Sequence, residues 1–430
     1  MPYPTVADTA GSRSATSKHP YPSFTSLQNA DHRAALHYSR QMIEQRETDV
    51  RAWAHLTTEA PLPEPGTLTG PLAGVPFGVK DVIDVAGMPT RCGSPSIDSS
   101  AASFNAACVE LLLRAGAVPV GKAVTAEFAF RHPGPTRNPR NLAHTPGGSS
   151  SGSAAAVAAG MVPLALSTQT GGSIIRPAAY CGVPGFKPSY GFISRDGLRL
   201  TSESLDTIGW HASDMDWMIR AAEVLLPAIP CNNALSLQGA RVAVIDYAPE
   251  SALEAEGRDT LEFVAQRLEQ AGARCVRIDA RAHLDTLVRA HTAIMKYEFA
   301  RNLEPVVSAR KEGLSASLLQ NVQEGWATDA GLYLEMCAYQ HEMRTQWNAL
   351  SEGADFILTP PASGPAPAGH DFTGTPAFNK TWTVLGWPCL HLPVRINSAG
   401  LPTGVQLIGP WKRDFDLLAY GALLEQLLDN

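Results

Sequence analysis

Short apolar runs of strand length alternate with stretches of helical spacing along most of this chain, and that alternation limits the folds open to it. Asp31 to Trp53 has helical spacing, with Ala35, Tyr38, Met42 and Ile43 on one side. Pro and Gly crowd the stretch from Pro61 to Gly74, after which a strand-like run begins at Val75, Phe77 and Val79. Ala107 to Leu113 predicts a helix ending at Gly116, and Val118 to Val120 a short strand. Gly147 to Gly152 reads as a turn, alanine-rich Ser153 to Ala159 as a helix, Val162 to Leu166 as a buried strand and Ser167 to Ser173 as a loop. Helix and strand in turn imply an α/β fold.

After Pro227 the chain becomes more charged and more helical. Arg241 to Ile245, Leu261 to Gln270 and Cys275 to Ile278 predict a β-α-β unit, and Glu335 to Leu350 a long helical tract. Residues 230–350 therefore read as an insertion in a core built from 61–229 and 351–430, with an N-terminal arm and helices over 1–60. Core strands resume at Phe356 to Leu358, Cys389 to Val394 and Gly404 to Ile408, before a closing helix from Phe415 to Leu428.

Composition removes several function classes. With 41 acidic against 34 basic residues and no basic run, nucleic acid is not an expected partner. The longest apolar stretch, Ala154 to Leu166, is too short to span a bilayer and is broken by Gly160 and Pro163, so no membrane association is expected. Met1 to Ser26 is rich in Ser, Pro and Thr and lacks the apolar run of a signal peptide; it reads as a partly disordered arm. Seven scattered cysteines without a CxxC pair read as reduced core residues, consistent with a cytoplasmic protein.

The chemistry-bearing residues are a lysine and two serine loops. Lysine is scarce, 8 against 26 arginines, yet Lys80 follows an apolar run. Burial there disfavours the ammonium and turns a lysine into a base near neutral pH. A strand-end lysine paired with Asp81 or Asp84 explains the same segment. Pro146-Gly-Gly-Ser-Ser-Ser-Gly-Ser153 and Thr168-Gln-Thr-Gly-Gly-Ser-Ile-Ile-Arg-Pro177 place serines in Gly-rich backbone. Such backbone lets N–H groups converge on a developing oxyanion, although a tight turn before a helix uses the same residues.

Taken together, Gly74-Val-Pro-Phe-Gly-Val-Lys-Asp81, Gly121-Lys-Ala123, Glu127-Phe-Ala129, Asn138-Pro139, the two serine loops, Cys181-Gly-Val-Pro-Gly-Phe-Lys-Pro188 and Gly400-Leu-Pro-Thr-Gly-Val-Gln-Leu407 resemble the amidase signature family. The 24-residue step from Ser149 to Ser173 fits that family too. The resemblance implies a large mixed, twisted β-sheet covered by helices on both faces, and a Ser–cis-Ser–Lys triad. In that triad Ser173 is the nucleophile, Ser149 relays the proton and Lys80 is the base. It further implies an oxyanion hole from the N–H groups of Thr170, Gly171, Gly172 and Ser173, with Ser150 in support.

The implied activity is hydrolysis of a small amide, carbamate or ureide through an acyl-Ser173 ester, without metal or cofactor. A glutaminase subunit of a tRNA-dependent amidotransferase complex is the alternative, and a homodimer is left open. Phe128, Phe130, His132, Arg176 and Phe378, with Trp382 and residues of the 230–350 segment, are the candidates for contact with substrate.

Two positions depart from the family pattern: Gln169 stands where Asp is usual and Ile175 where Arg is usual. Both members of a charge pair are then lost together, which leaves no orphan ion. Gly148-Ser-Ser-Ser-Gly152 also matches the nucleophile elbow G-x-S-x-G, but the polar, Pro-containing lead-in is not the buried strand an elbow needs. Ser308-x-x-Lys311 lacks the companion motifs of a β-lactamase, and none of the twelve histidines lies in a catalytic motif.

Overall fold

Period-two alternation of apolar residues decides how the strands sit. Phe77 and Val79, Leu164 and Leu166, Val242 and Val244, and Phe356 and Leu358 all point into one large apolar core. The residues between them face the other way, with Ala165 in a second cluster and Ala243 and Ile357 in a third. Residues buried on both faces belong to a sheet covered on both sides. A computed structural model describes residues 32–57, 67–229 and 235–429, so the N-terminal arm and Cys231 lie outside the described residues.

The strands are β1 (Trp53–Leu56), β2 (Pro76–Lys80), β3 (Val118–Ala123), β4 (Leu164–Gln169), β5 (Gly185–Lys187), β6 (Thr207–Ala212), β7 (Arg241–Val244), β8 (Arg274–Arg277), β9 (Phe356–Thr359), β10 (Cys389–Ile396) and β11 (Pro402–Ile408). They form one 11-stranded sheet in the order β1-β3-β2-β4-β6-β5-β10-β11-β9-β7-β8. Pairing is parallel for β3-β2-β4 and for β9-β7-β8, and antiparallel elsewhere. The 230–350 segment thus adds two parallel strands to the edge of the same sheet.

Twelve α-helices lie among the described residues: α1 (His32–Val50), α2 (Ala107–Arg114), α3 (Ser151–Ala158), α4 (Ile175–Cys181), α5 (Met215–Leu225), α6 (Ala255–Gln270), α7 (Arg281–Arg310), α8 (Ala316–Trp326), α9 (Ala330–Arg344), α10 (Trp347–Ser351), α11 (Lys380–Leu385) and α12 (Asp414–Asp429). None is long and apolar enough to cross a membrane. The expected helical tract from Glu335 to Leu350 is two helices, because the first ends at the cap residue Thr345 and the chain leaves helical geometry at Gln346. Thr345 there bonds the Glu342 carbonyl with its own hydroxyl at 3.1 Å. The expected loop from Ser167 to Ser173 starts later than predicted, since Ser167, Thr168 and Gln169 pair with Gly209, Ile208 and Thr207 of β6.

Helix α3 is made of Ser, Gly, Ala and Val, and every residue in it is buried. Small side chains let it lie against backbone. A Cβ on Gly152 would stand 2.2 Å from the Ala52 carbonyl oxygen and 2.4 Å from the Val124 nitrogen. Backbone on both sides cannot yield as a flexible side chain does, so Gly152→Ala is expected to cost about 3 kcal/mol or more in a denaturant titration. A variant as stable as the wild type would show that this packing is looser than the geometry states.

Candidate active site

Strand β2 runs parallel to β4, with Val79 opposite Leu166, so Lys80 at its C-terminal end arrives beside Thr168. Carboxyl ends of parallel strands are where open α/β sheets place their sites. The Lys80 ammonium group is fully buried and has three neighbours: Ser149 Oγ at 2.8 Å, Thr168 Oγ1 at 2.7 Å and the Thr168 carbonyl at 3.4 Å. None of the described carboxylates pairs with it. Asp81, one of the partners considered from sequence, forms its ion pair with Lys122 at 3.1 Å instead. Burial therefore dominates and pulls Lys80 down to about 7, with Arg176 pushing the same way and the Asp206 carboxylate opposing.

Ser149 follows a cis peptide bond from Gly148, just before α3. Three contacts tie its loop to the end of β4 and to the Ser173 loop that follows it. The Ser150 N–H donates to the Ser173 carbonyl at 3.3 Å, the Ser150 hydroxyl donates to the Thr168 carbonyl at 3.2 Å, and the Thr168 N–H donates to Ser150 Oγ at 3.4 Å. Lys80, Ser149, Ser150 and Ser173 are thus brought together across 93 positions of sequence.

The loop from Thr170 to Ser173 is braced at both ends. Thr170 donates its hydroxyl to the buried Asp206 carboxylate at 2.5 Å, and that carboxylate also accepts the N–H groups of Thr201 and Ser202. Thr170 accepts at its carbonyl from His291 Nε2 at 2.7 Å. A carbonyl can only accept, so the His291 proton is on Nε2. Burial holds this ring neutral, its pKa down at about 3. At the other end Gln169 Oε1 accepts from the N–H groups of Ile174 and Ile175 at 2.8 and 3.1 Å, while its Nε2 donates to Thr383 at 3.0 Å. One neutral amide fixes the turn, with no charge at Ile175. The N–H groups of Gly171, Gly172 and Ser173 donate to none of the described residues.

Ser173 and Arg176 open onto a cavity of about 480 Å³. Its walls come from 129–133, the Ser173 loop, the middle of α7 and 371–380. Phe130 and His132 line it as expected, and so does His291, which no sequence signal singled out. Phe128 does not. It has φ 45, in the left-handed region, and is fully buried in the large core. Phe378 and Trp382 are also core residues, packed with Ala248 and Ala377 and with Trp387 respectively. Arg176 lines the cavity but has no carboxylate partner among the described residues; its Nε donates to the Thr373 carbonyl at 2.6 Å and its Nη2 to the Gly148 carbonyl at 2.5 Å.

The chain is similar to known proteins over nearly its full length. The Amidase family profile matches residues 45–418. The A subunit of glutamyl-tRNA(Gln) amidotransferase from Chloroflexus aggregans is 32% identical, over 90% of this chain and 91% of its own. The crystal structure of its counterpart from Thermotoga maritima superposes with a TM-score of 0.82 at 26% identity, covering 94% of each chain. Peptide amidase from Stenotrophomonas maltophilia superposes with a TM-score of 0.79 at 27% identity, covering 94% of this chain and 96% of its own. On these grounds the chain belongs to the amidase family, the amidase signature enzymes, and shares their mixed α/β fold.

Proposed function

We propose that this protein hydrolyses a carbon–nitrogen amide-type bond through an acyl-Ser173 intermediate. The observation that carries the reading is a fully buried lysine without a carboxylate partner among the described residues, 2.8 Å from Ser149 Oγ, on a loop bonded to the Ser173 loop. A neutral Lys80 amine has a lone pair for the Ser149 proton, and its N–H groups face Thr168. Ser173 Oγ attacks the carbonyl carbon and gives its proton to Ser149 Oγ, as Ser149 passes its own to Lys80. The tetrahedral oxyanion is met by the free N–H groups of Gly171, Gly172 and Ser173, with Thr170 in the same turn; each preorganised donor contributes about 3 kcal/mol. The proton then returns through Ser149 to the leaving nitrogen, the C–N bond breaks, and water repeats the sequence on the Ser173 ester. A cytoplasmic setting belongs to this reading, since the six described cysteines are free thiols.

The similarity to amidotransferase A subunits supports a second reading, in which the chain is the glutaminase of a larger assembly. Product release from a panel of amides separates the two. The first reading expects the purified chain alone to release ammonia or amine from non-glutamine amides. Turnover confined to glutamine, and rising strongly in the presence of partner subunits, favours the second.

A further inference from the structure

The peptide groups that end in the Gly171 and Gly172 N–H begin at the Thr170 and Gly171 carbonyls, and a side chain donates to each of these carbonyls at 2.7 Å: His291 Nε2 to Thr170 and Thr383 Oγ1 to Gly171. A planar trans peptide holds its C=O and N–H on opposite sides, so a donor at the carbonyl backs an N–H that faces the other way. The bond from Thr383 belongs to a chain whose direction is fixed by chemistry. Backbone N–H groups of Ile174 and Ile175 can only donate, so the Gln169 oxygen faces them and its Nε2 faces Thr383, 3.0 Å away. Thr383 Oγ1 accepts that N–H, and its own single proton has two carbonyls in reach, Gly171 at 2.7 Å and Asn379 at 3.1 Å. The Asn379 carbonyl already accepts the Thr383 N–H at 3.0 Å, so the hydroxyl proton goes to Gly171. Gln169 and Thr383 are both buried, and water does not compete for these bonds.

We propose that Gln169 and Thr383 are positioning residues for the oxyanion: the chain from Gln169 Nε2–H through the Thr383 hydroxyl to the Gly171 carbonyl orients and polarises the Gly171–Gly172 peptide, making the Gly172 N–H a stronger donor. This rests on the Ser173 reading of the reaction. Hydrogen bonds in series strengthen one another, and each member of this chain both accepts and donates. Neither residue touches the reacting atoms, and neither carries a charge. The oxyanion forms only as Ser173 attacks, so the contribution falls on kcat and leaves KM nearly alone. A carboxylate at position 169 reverses the chain. It accepts from Ile174 and Ile175 as the amide does, but it cannot donate, so the Thr383 proton turns to it and leaves the Gly171 carbonyl.

The experiment follows hydrolysis of para-nitroacetanilide and the phosphorus NMR resonance of the diisopropyl fluorophosphate adduct in wild type, Thr383→Val, Thr383→Ser and Gln169→Glu. In the adduct a phosphoryl oxygen takes the place of the oxyanion, so its hydrogen bonds set the native resonance apart from that of the denatured adduct. Thr383→Val is expected to lower kcat by roughly 3- to 20-fold, a fraction of the roughly 10²- to 10³-fold that removing an oxyanion donor outright costs, with KM within about twofold. Its adduct resonance is expected to move toward the denatured position. Thr383→Ser restores both readings, and Gln169→Glu reproduces the Thr383→Val losses although the hydroxyl is still present. An unmoved resonance in Thr383→Val overturns the proposal whatever kcat does, because a merely structural role disturbs turnover without weakening the hole. Wild-type kcat and resonance in Gln169→Glu overturn the part given to Gln169, and if that variant does not fold the two Thr383 variants decide alone. Labelling of a residue other than Ser173 overturns the amidase reading itself, whereas labelling at Ser173 with every resonance unmoved overturns only the chain through Thr383.

Discussion

Lys80→Met is expected to lower kcat by roughly 10³- to 10⁴-fold, the size of effect carried by a positioned general base. Methionine fills a similar volume and is apolar, so the loss reports proton transfer and not a cavity. The pH profile of the wild type makes the same point. Lys80 accepts a proton only as the free amine, and burial holds its pKa at about 7. Activity should therefore rise about tenfold per pH unit below that value and level off above it. A flat profile between pH 5 and 9 would contradict a lysine base.

Stability gives an independent reading. An unfolded lysine binds its proton up to its ordinary pKa of 10.5, while the folded one has lost it above about 7. Between those values the unfolded state holds more protons, so the stability of the wild type rises with pH. Below pH 7 both states are protonated and the full penalty of the buried ammonium is present, on the order of a few kcal/mol. Lys80→Met lacks that penalty. Thermal melts should show the variant gaining on the wild type below pH 7 and the gap narrowing toward pH 10. A catalytic residue that costs stability is what a buried base predicts, and a lysine kept only for an ion pair would show the reverse.

Residues with local signals were readable in sequence, and residues whose place depends on distant pairing were not. The Gly-rich serine loops and the lysine after an apolar run announced themselves through backbone chemistry that needs no knowledge of the fold. Thr168, a direct neighbour of Lys80, looked like loop because nothing nearby in sequence reveals that β4 zips onto β6, 38 positions later at Gln169 and Thr207. Asp206 and His291 reach Thr170 from β6's lead-in and from the middle of a 30-residue helix, and no spacing rule connects them. The aromatic candidates divided for a different reason. Sequence gives the residue but not the side of the turn: Phe128 goes inward at its left-handed φ while Phe130, two positions on, reaches the cavity. The loss of the charge pair at Gln169 and Ile175 was legible, but its remedy was not. A single glutamine supplies an acceptor for the N–H groups of Ile174 and Ile175 and a donor to Thr383, so that end of the turn is held with no charge at Gln169 or Ile175.

Ser173→Ala is expected to cost roughly 10⁴- to 10⁶-fold in kcat and to be nearly silent in stability. The two halves of that expectation come from one observation. Ser173 is buried in the wall of the cavity and its hydroxyl makes no hydrogen bond to the described residues, so removing one oxygen breaks no bond within the fold and opens no new cavity. Melting should shift by no more than about 0.5 kcal/mol equivalent, the range of a substitution without a lost partner. Ser149→Ala behaves differently, because it takes away a neighbour of Lys80 at 2.8 Å and disturbs the site as well as the relay. A fluorophosphonate, which traps an activated serine as a phosphonyl ester, should add one mass increment to the wild type on a peptide containing Ser173 and none to Ser173→Ala. Labelling should also follow the pH dependence of Lys80, since the same amine activates the hydroxyl toward phosphorus and toward carbon. If the adduct persists in Ser173→Ala with the fold intact, the attacking oxygen belongs to Ser149 or Ser150, and the roles of relay and nucleophile must be exchanged.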